Sequence, residues 1–174
     1  MIQKILNSKN PKLRMVSKPA GKIDKKVKDL IQDLKDTLKI QKDPEGVGLA
    51  APQIGKNLRV FFVNHEGLAR IVINPEILAI KTVKTKKKKA DSDSTIMEGC
   101  LSLPHYYGPL KRANRVKVKY LDEDGVEVVE EFKDFAAQII LHEIDHLNGY
   151  LFVDRLIEQD QPLYVVIKSY RILR

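Results

Sequence analysis

His142, Glu143 and His146 stand within the segment QIILHEIDHLNG, residues 138 to 149, as an H-E-x-x-H pattern. On a helix, residues four apart lie one turn apart on the same face. The two imidazoles are then about 6 Å apart along the axis, close enough to share one small ion. Glu143, beside the first histidine, can reach a water at that ion without being a ligand. Two neutral nitrogens to hold an ion and one carboxylate to move protons are what metal-assisted hydrolysis requires. A core helix with two satisfied histidines is the alternative that so short a motif leaves open.

A hydrolytic centre of this kind needs three protein ligands and one open position. The extension H-x-x-G-x-x-H is met at Gly149 but has Phe152 where the third histidine belongs. Glu158, the only glutamate after Glu143, lies in a polar stretch twelve residues past His146. The remaining soft donor is Cys100, the sole cysteine, with Gly99 before it and Leu101 after it. A lone cysteine is commonly inert core, but the need for a third ligand favours the thiolate here. Gln53 is the one polar side chain in the apolar run GVGLAAPQIG, residues 46 to 55. If buried it needs partners, which makes it a candidate donor to a substrate carbonyl.

The elements that must position these residues can be read in order. Residues 11 to 20 carry prolines and read as an extended arm. Residues 25 to 42 have helical period, with Val27, Leu30, Ile31, Leu34 and Leu38 on one stripe, Asp24 as N-cap and Pro44 beyond the end. Residues 58 to 64 and 69 to 74 read as strands joined by a turn, and 76 to 83 extend that sheet. Residues 96 to 104 form a compact motif around Cys100. Residues 115 to 121 and 126 to 132 alternate apolar and polar across a DEDG turn. The H-E-x-x-H helix follows, and YLFVDRL packs back on the core. Leu163, Val166, Ile167, Tyr170 and Leu173 give the tail, 162 to 174, a helical reading, although its YVVI run is rich in strand formers. The expected class is α+β: mostly antiparallel sheets around a central metal-binding helix, with an N-terminal helix, in one domain spanning 1–174.

Three stretches together resemble the signature motifs of the peptide deformylase family: GVGLAAPQ (Gly46 to Gln53), EGCLS (Glu98 to Ser102) and HEIDH (His142 to His146). The N-terminal arm and first helix are similar as well. The resemblance implies a metal-dependent hydrolase that removes the formyl group from the formyl-methionine of nascent polypeptides. It makes Cys100, His142 and His146 the metal ligands and Glu143 the catalytic acid–base. Gln53 and the backbone N–H of Leu101 become donors to the formyl oxygen. The backbone at Val47 and Gly48 would pair with the substrate, with Gly99 and Tyr107 opposite. Val47, Ile96, Phe135, Ile139 and His142 would form the methionine pocket. The implied cofactor is Fe(II), with nickel, cobalt or zinc accepted. Leu141 departs from the glutamine common before the first histidine, and the tail lacks the lysine-rich helix by which some members dock on the ribosome.

With 174 residues, 43% of them apolar, the chain can bury a sizeable core. Its apolar runs are too short and too often interrupted by charge to suggest a membrane span. The N-terminus does not resemble a signal peptide, and a single cysteine suits a reducing cytoplasm. The net charge is +8, and Lys81, Lys84 and Lys86 to Lys89 place six cations in nine residues. That run reads either as a solvated loop or as a contact for ribosomal RNA, without aromatic residues for base stacking. No DNA or membrane partner is expected. The rival readings are a metallopeptidase using Glu158 and a non-catalytic binding protein of the same fold.

Overall fold

The computed structural model describes residues 1–83 and 97–166. Ile96, most of the lysine-rich run (84–89) and residues 167–174 lie outside the described residues. The arm begins with a 3-10 turn, Pro11–Arg14, capped by Asn10, and continues extended to helix α1, Lys25–Lys39. Asp24 caps α1 by accepting from the Lys26 and Val27 amides at 2.9 and 3.1 Å. The helix stops three residues before the expected end. Gln41 lies beyond it, and its side chain donates back to the Thr37 carbonyl at 3.0 Å.

Strand β1 (Gly48–Ala50) and a 3-10 turn (Ala51–Ile54) follow, then β2 (Val60–His65) and the long β3 (Leu68–Lys81). Strands β4 (Met97–Cys100) and β5 (Leu103–Pro109) form the next hairpin. Strands β6 (Arg115–Leu121) and β7 (Glu127–Lys133) lead directly into α2 (Asp134–Leu147), followed by α3 (Phe152–Glu158) and β8 (Tyr164–Val165). One sheet runs in the order β1-β2-β3-β6-β7 and the other β4-β5-β8. All these strand pairs are antiparallel. The class is therefore α+β, as expected.

The period of two along β2 feeds two cores. Phe61 and Val63 point to the cluster containing Ile139, Ile140, Ile144 and Leu147 of α2. Val60 and Phe62 point to the cluster containing Leu30, Ile31, Leu34 and Leu38 of α1. The first three strands thus lie between two helices, with α2 on the inner face of the large sheet. A third cluster joins Cys100 and Leu110 to Phe152 and Leu156 of α3. The segment YLFVDRL does pack back on the core, as a short helix.

The tail departs from the helical reading at its start. Tyr164 and Val165 pair with Tyr107 and Tyr106 of β5, and the Val166 amide donates to the His105 carbonyl at 2.8 Å. Apolar spacing suited a helix, but an open edge of β5 offered backbone partners, and the strand-forming character of YVVI prevailed.

Candidate active site

Helix α2 presents His142 and His146 one turn apart, with ring centroids 4.9 Å apart and planes at 82°. Strand β4 ends at Cys100, whose Sγ lies 3.2 Å from His146 Nε2. One ligand atom from each of Cys100, His142 and His146 fits within 4.8 Å of the others. Cys100 comes from the small sheet and both histidines from the helix packed on the large one. The β4–β5 ladder shifts register between Gly99 and Cys100, which turns the thiol toward α2, where the Ser102 amide approaches Sγ at 3.4 Å. Burial alone would push the Cys100 thiol up, but the imidazoles of His146 and His142 outweigh it and hold it well below the ordinary thiol value. A depressed thiol beside two imidazoles is a borderline-soft donor set that fits a divalent transition metal.

Glu98 orients the first of these imidazoles. Its Oε1 accepts from His142 Nδ1 at 2.7 Å, which leaves Nε2 for an ion. Arg112 grips the same carboxylate with Nε and Nη2 at 2.6 and 2.7 Å, and Gln138 donates to it at 3.1 Å. Burial works to raise the Glu98 carboxyl, but Arg112 and His142 prevail and hold it at about 2. Arg112 also donates to Asp145 at 2.9 Å, and Arg155 of α3 donates to both oxygens of Asp145, at 2.7 and 3.2 Å. Glu158, the rival ligand, is turned to Arg155 at 2.9 Å and belongs to this outer network. Glu98 and Asp145 lie inside motifs read from the sequence without a role of their own. Arg112, in a polar loop, gave no signal at all.

Glu143 is buried, and its Oε2 has no hydrogen-bond partner among the described residues. Burial lifts its carboxyl to about 7, against the pull of His142 and His146. A carboxyl near neutrality suits a group that takes and returns a proton. Gly48 makes room for it: a Cβ there would lie 2.3 Å from Glu143 Oε1.

Gln53 is buried, which meets the condition set for it as a candidate donor. Its Oε1 accepts from the Ala50 amide at 2.8 Å, and its Nε2 donates toward Ser102 Oγ and Cys100 Sγ at 3.2 and 3.5 Å. A cleft of about 400 Å³ opens over these groups. Val47, Gly48, Gly99, Leu101, Tyr107, Phe135 and Ile139 all line it, together with Gln53, Cys100, His142 and Glu143. Ile96 lies outside the described residues. At this cleft β1 is one edge of the large sheet and β4 one edge of the small one. As end strands among the described residues, both can offer backbone groups to an extended peptide.

The polypeptide deformylase family profile matches residues 2–162. The peptide deformylase of Pseudothermotoga lettingae is 40% identical over 154 residues, covering 88% of this chain and 82% of its own. Peptide deformylase from Thermotoga maritima is structurally similar, with a TM-score of 0.77 at 37% identity, covering 89% of this chain and 97% of that one. A class I type b peptide deformylase from Acinetobacter baumannii, solved with Met-ala-ser bound, has a TM-score of 0.78 at 32% identity over 89% of this chain and 98% of that one.

Proposed function

The chain belongs to the polypeptide deformylase family, and we propose the following assignment of its chemistry to its residues. It is a metal-dependent hydrolase that removes the formyl group from the N-terminal formyl-methionine of nascent polypeptides and releases formate, working as one catalytic domain in the cytoplasm. Cys100, His142 and His146 hold the metal, which is Fe(II), with zinc, nickel or cobalt as substitutes. When bound, the ion supplies Lewis-acid chemistry, activating water and polarising the formyl carbonyl.

The peptide enters as a strand between the backbone of Val47 and Gly48 on one side and that of Gly99 on the other. Its methionine side chain lies against Val47, Phe135, Ile139 and His142. Glu143 accepts a proton from the attacking water as its oxygen bonds to the formyl carbon. The Gln53 amide and the Leu101 N–H donate to the oxygen that becomes negative, each such donor contributing about 3 kcal/mol in comparable sites. Glu143 then gives its proton to the leaving amine as the C–N bond breaks.

The observation that carries this reading is the buried triad of Cys100, His142 and His146 beside Glu143, whose Oε2 has no hydrogen-bond partner among the described residues, all at one cleft or under it. The test is formate release from formyl-Met-Ala-Ser by iron-loaded protein prepared without oxygen. No formate above the chelated control would refute it. We place a ribosome contact on the basic segment 81–89. Weaker ribosome co-sedimentation after changing Lys86 to Lys89 to glutamine is the expected result.

A further inference from the structure

Register sets three cations side by side on the large sheet. Lys81 of β3 is opposite Arg115 of β6, and Arg115 is opposite Lys133 of β7. Directly opposed residues of antiparallel strands point to the same face, with Cβ atoms about 5 Å apart. Their neighbours Val116 and Phe132 are buried toward α2, so these three side chains point the other way, to the outer face. The adjacent row is Ala79, Lys117 and Glu131. Glu131 is the only acid in the two rows and is shared by Arg115 at 3.8 Å and Lys133 at 3.7 Å. Lys81 and Lys117 make no ion pair among the described residues. By contrast, Lys119, one row further on, is matched by Glu76 at 2.8 Å.

Four cations therefore face one carboxylate on a patch three strands wide, about 10 Å across. Helix α1 packs on this same face over β1, β2 and the first half of β3, and reaches β6 at Leu121, near the turn where Lys35 pairs with Glu123, at the other end of β6 from Arg115. Like charges directly opposed weaken a sheet, so four cations with one carboxylate between them among the described residues suit an outside anion. Neither row holds an aromatic side chain, which removes base stacking and leaves a regular anionic backbone as the matching partner.

We propose that the row Lys81–Arg115–Lys133, with Lys117 beside it, binds the phosphate backbone of RNA independently of sequence. The strands fix the spacing of the charges, and each phosphate neutralised releases counterions. The choice of RNA rests on the reading above of an enzyme that works on nascent polypeptides; the presence of an anion-binding surface does not.

The test compares the parent chain with the triple variant Lys81→Gln, Arg115→Gln, Lys133→Gln for binding of a labelled 20-nucleotide single-stranded RNA across a salt series. Every other lysine is common to both chains. Loss of three phosphate contacts should weaken binding and make the slope of log K against log salt shallower by about 2. The variant should melt no lower than its parent, because a repulsive row has been removed. Equal affinity and slope in the two chains would overturn the proposal. So would a lower melting temperature, which would give the row a role in the fold, or tighter binding of the parent to phosphatidylserine vesicles than to RNA. Formyl-peptide turnover by the same parent preparation tests the catalytic reading separately.

Discussion

Cys100 and Glu143 face the same small space, and their loss should fail in different ways. Cys100→Ser replaces a thiolate donor with a neutral hydroxyl and should cost most of the metal, read by elemental analysis, and with it most of the activity. On the proposed assignment Glu143→Ala removes a proton carrier and no ligand, so metal content should hold while kcat falls by about 100-fold or more. Full metal in the first variant, or unchanged kcat in the second, would contradict the assignment. Gly48 extends the argument to a residue with no chemistry of its own. Its missing Cβ would stand 2.3 Å from Glu143 Oε1, closer than any real contact. Gly48→Ala should therefore displace that carboxylate and lower kcat with metal still bound. Turnover equal to the parent's would mean that the carboxylate need not sit where it does.

Two elements must hold register for the triad to exist: β4, which carries Cys100, and α2, which carries the histidines. Glu98 and Arg112 tie them, since Arg112 grips Glu98 on β4 and Asp145 on α2 together. Both partners of the Glu98–Arg112 pair are nearly buried, with side-chain exposures of 5% and 10%. Breaking such a pair leaves a stranded charge and typically costs about 3–5 kcal/mol. Arg112→Leu should thus lower stability by that order in denaturant unfolding and weaken metal affinity by about 10- to 100-fold, through a misdirected His142. Unchanged affinity would confine Arg112 to a structural role. The motif residues could be read because their chemistry is local: helical spacing joins His142 to His146, and glycine marks close approach at Gly48 and Gly99. Arg112 could not. Its partners are 14 and 33 residues away, and nothing in a polar loop announces which arginine will be drawn inside. The tail failed for a related reason, because the free edge of β5 that captures Tyr164 and Val165 is a tertiary fact.

At the scale of the whole molecule, hydrophobic period alone indicated an α+β class. It identified the stripe of α1, the alternation of β6 and β7, and the buried helix after them. What period could not indicate was the division into two sheets, which depends on which hairpins pair. That division would give a metal held by the triad a mechanical position, because Cys100 belongs to the small sheet and both histidines to the helix under the large one. An ion held by all three would cross-link two halves of the core. Anything that binds only the folded state stabilises it, by about 2.7 kcal/mol at a hundred times Kd. For a chain of this size that corresponds to a rise in melting temperature on the order of 5–10 °C. Iron- or nickel-loaded protein should melt higher than the chelated protein by roughly this amount. Glu143→Ala should keep the difference and Cys100→Ser should lose most of it. The same increment in Cys100→Ser as in the parent would show that the ion does not bridge the two sheets through sulfur, whatever the activity of either protein.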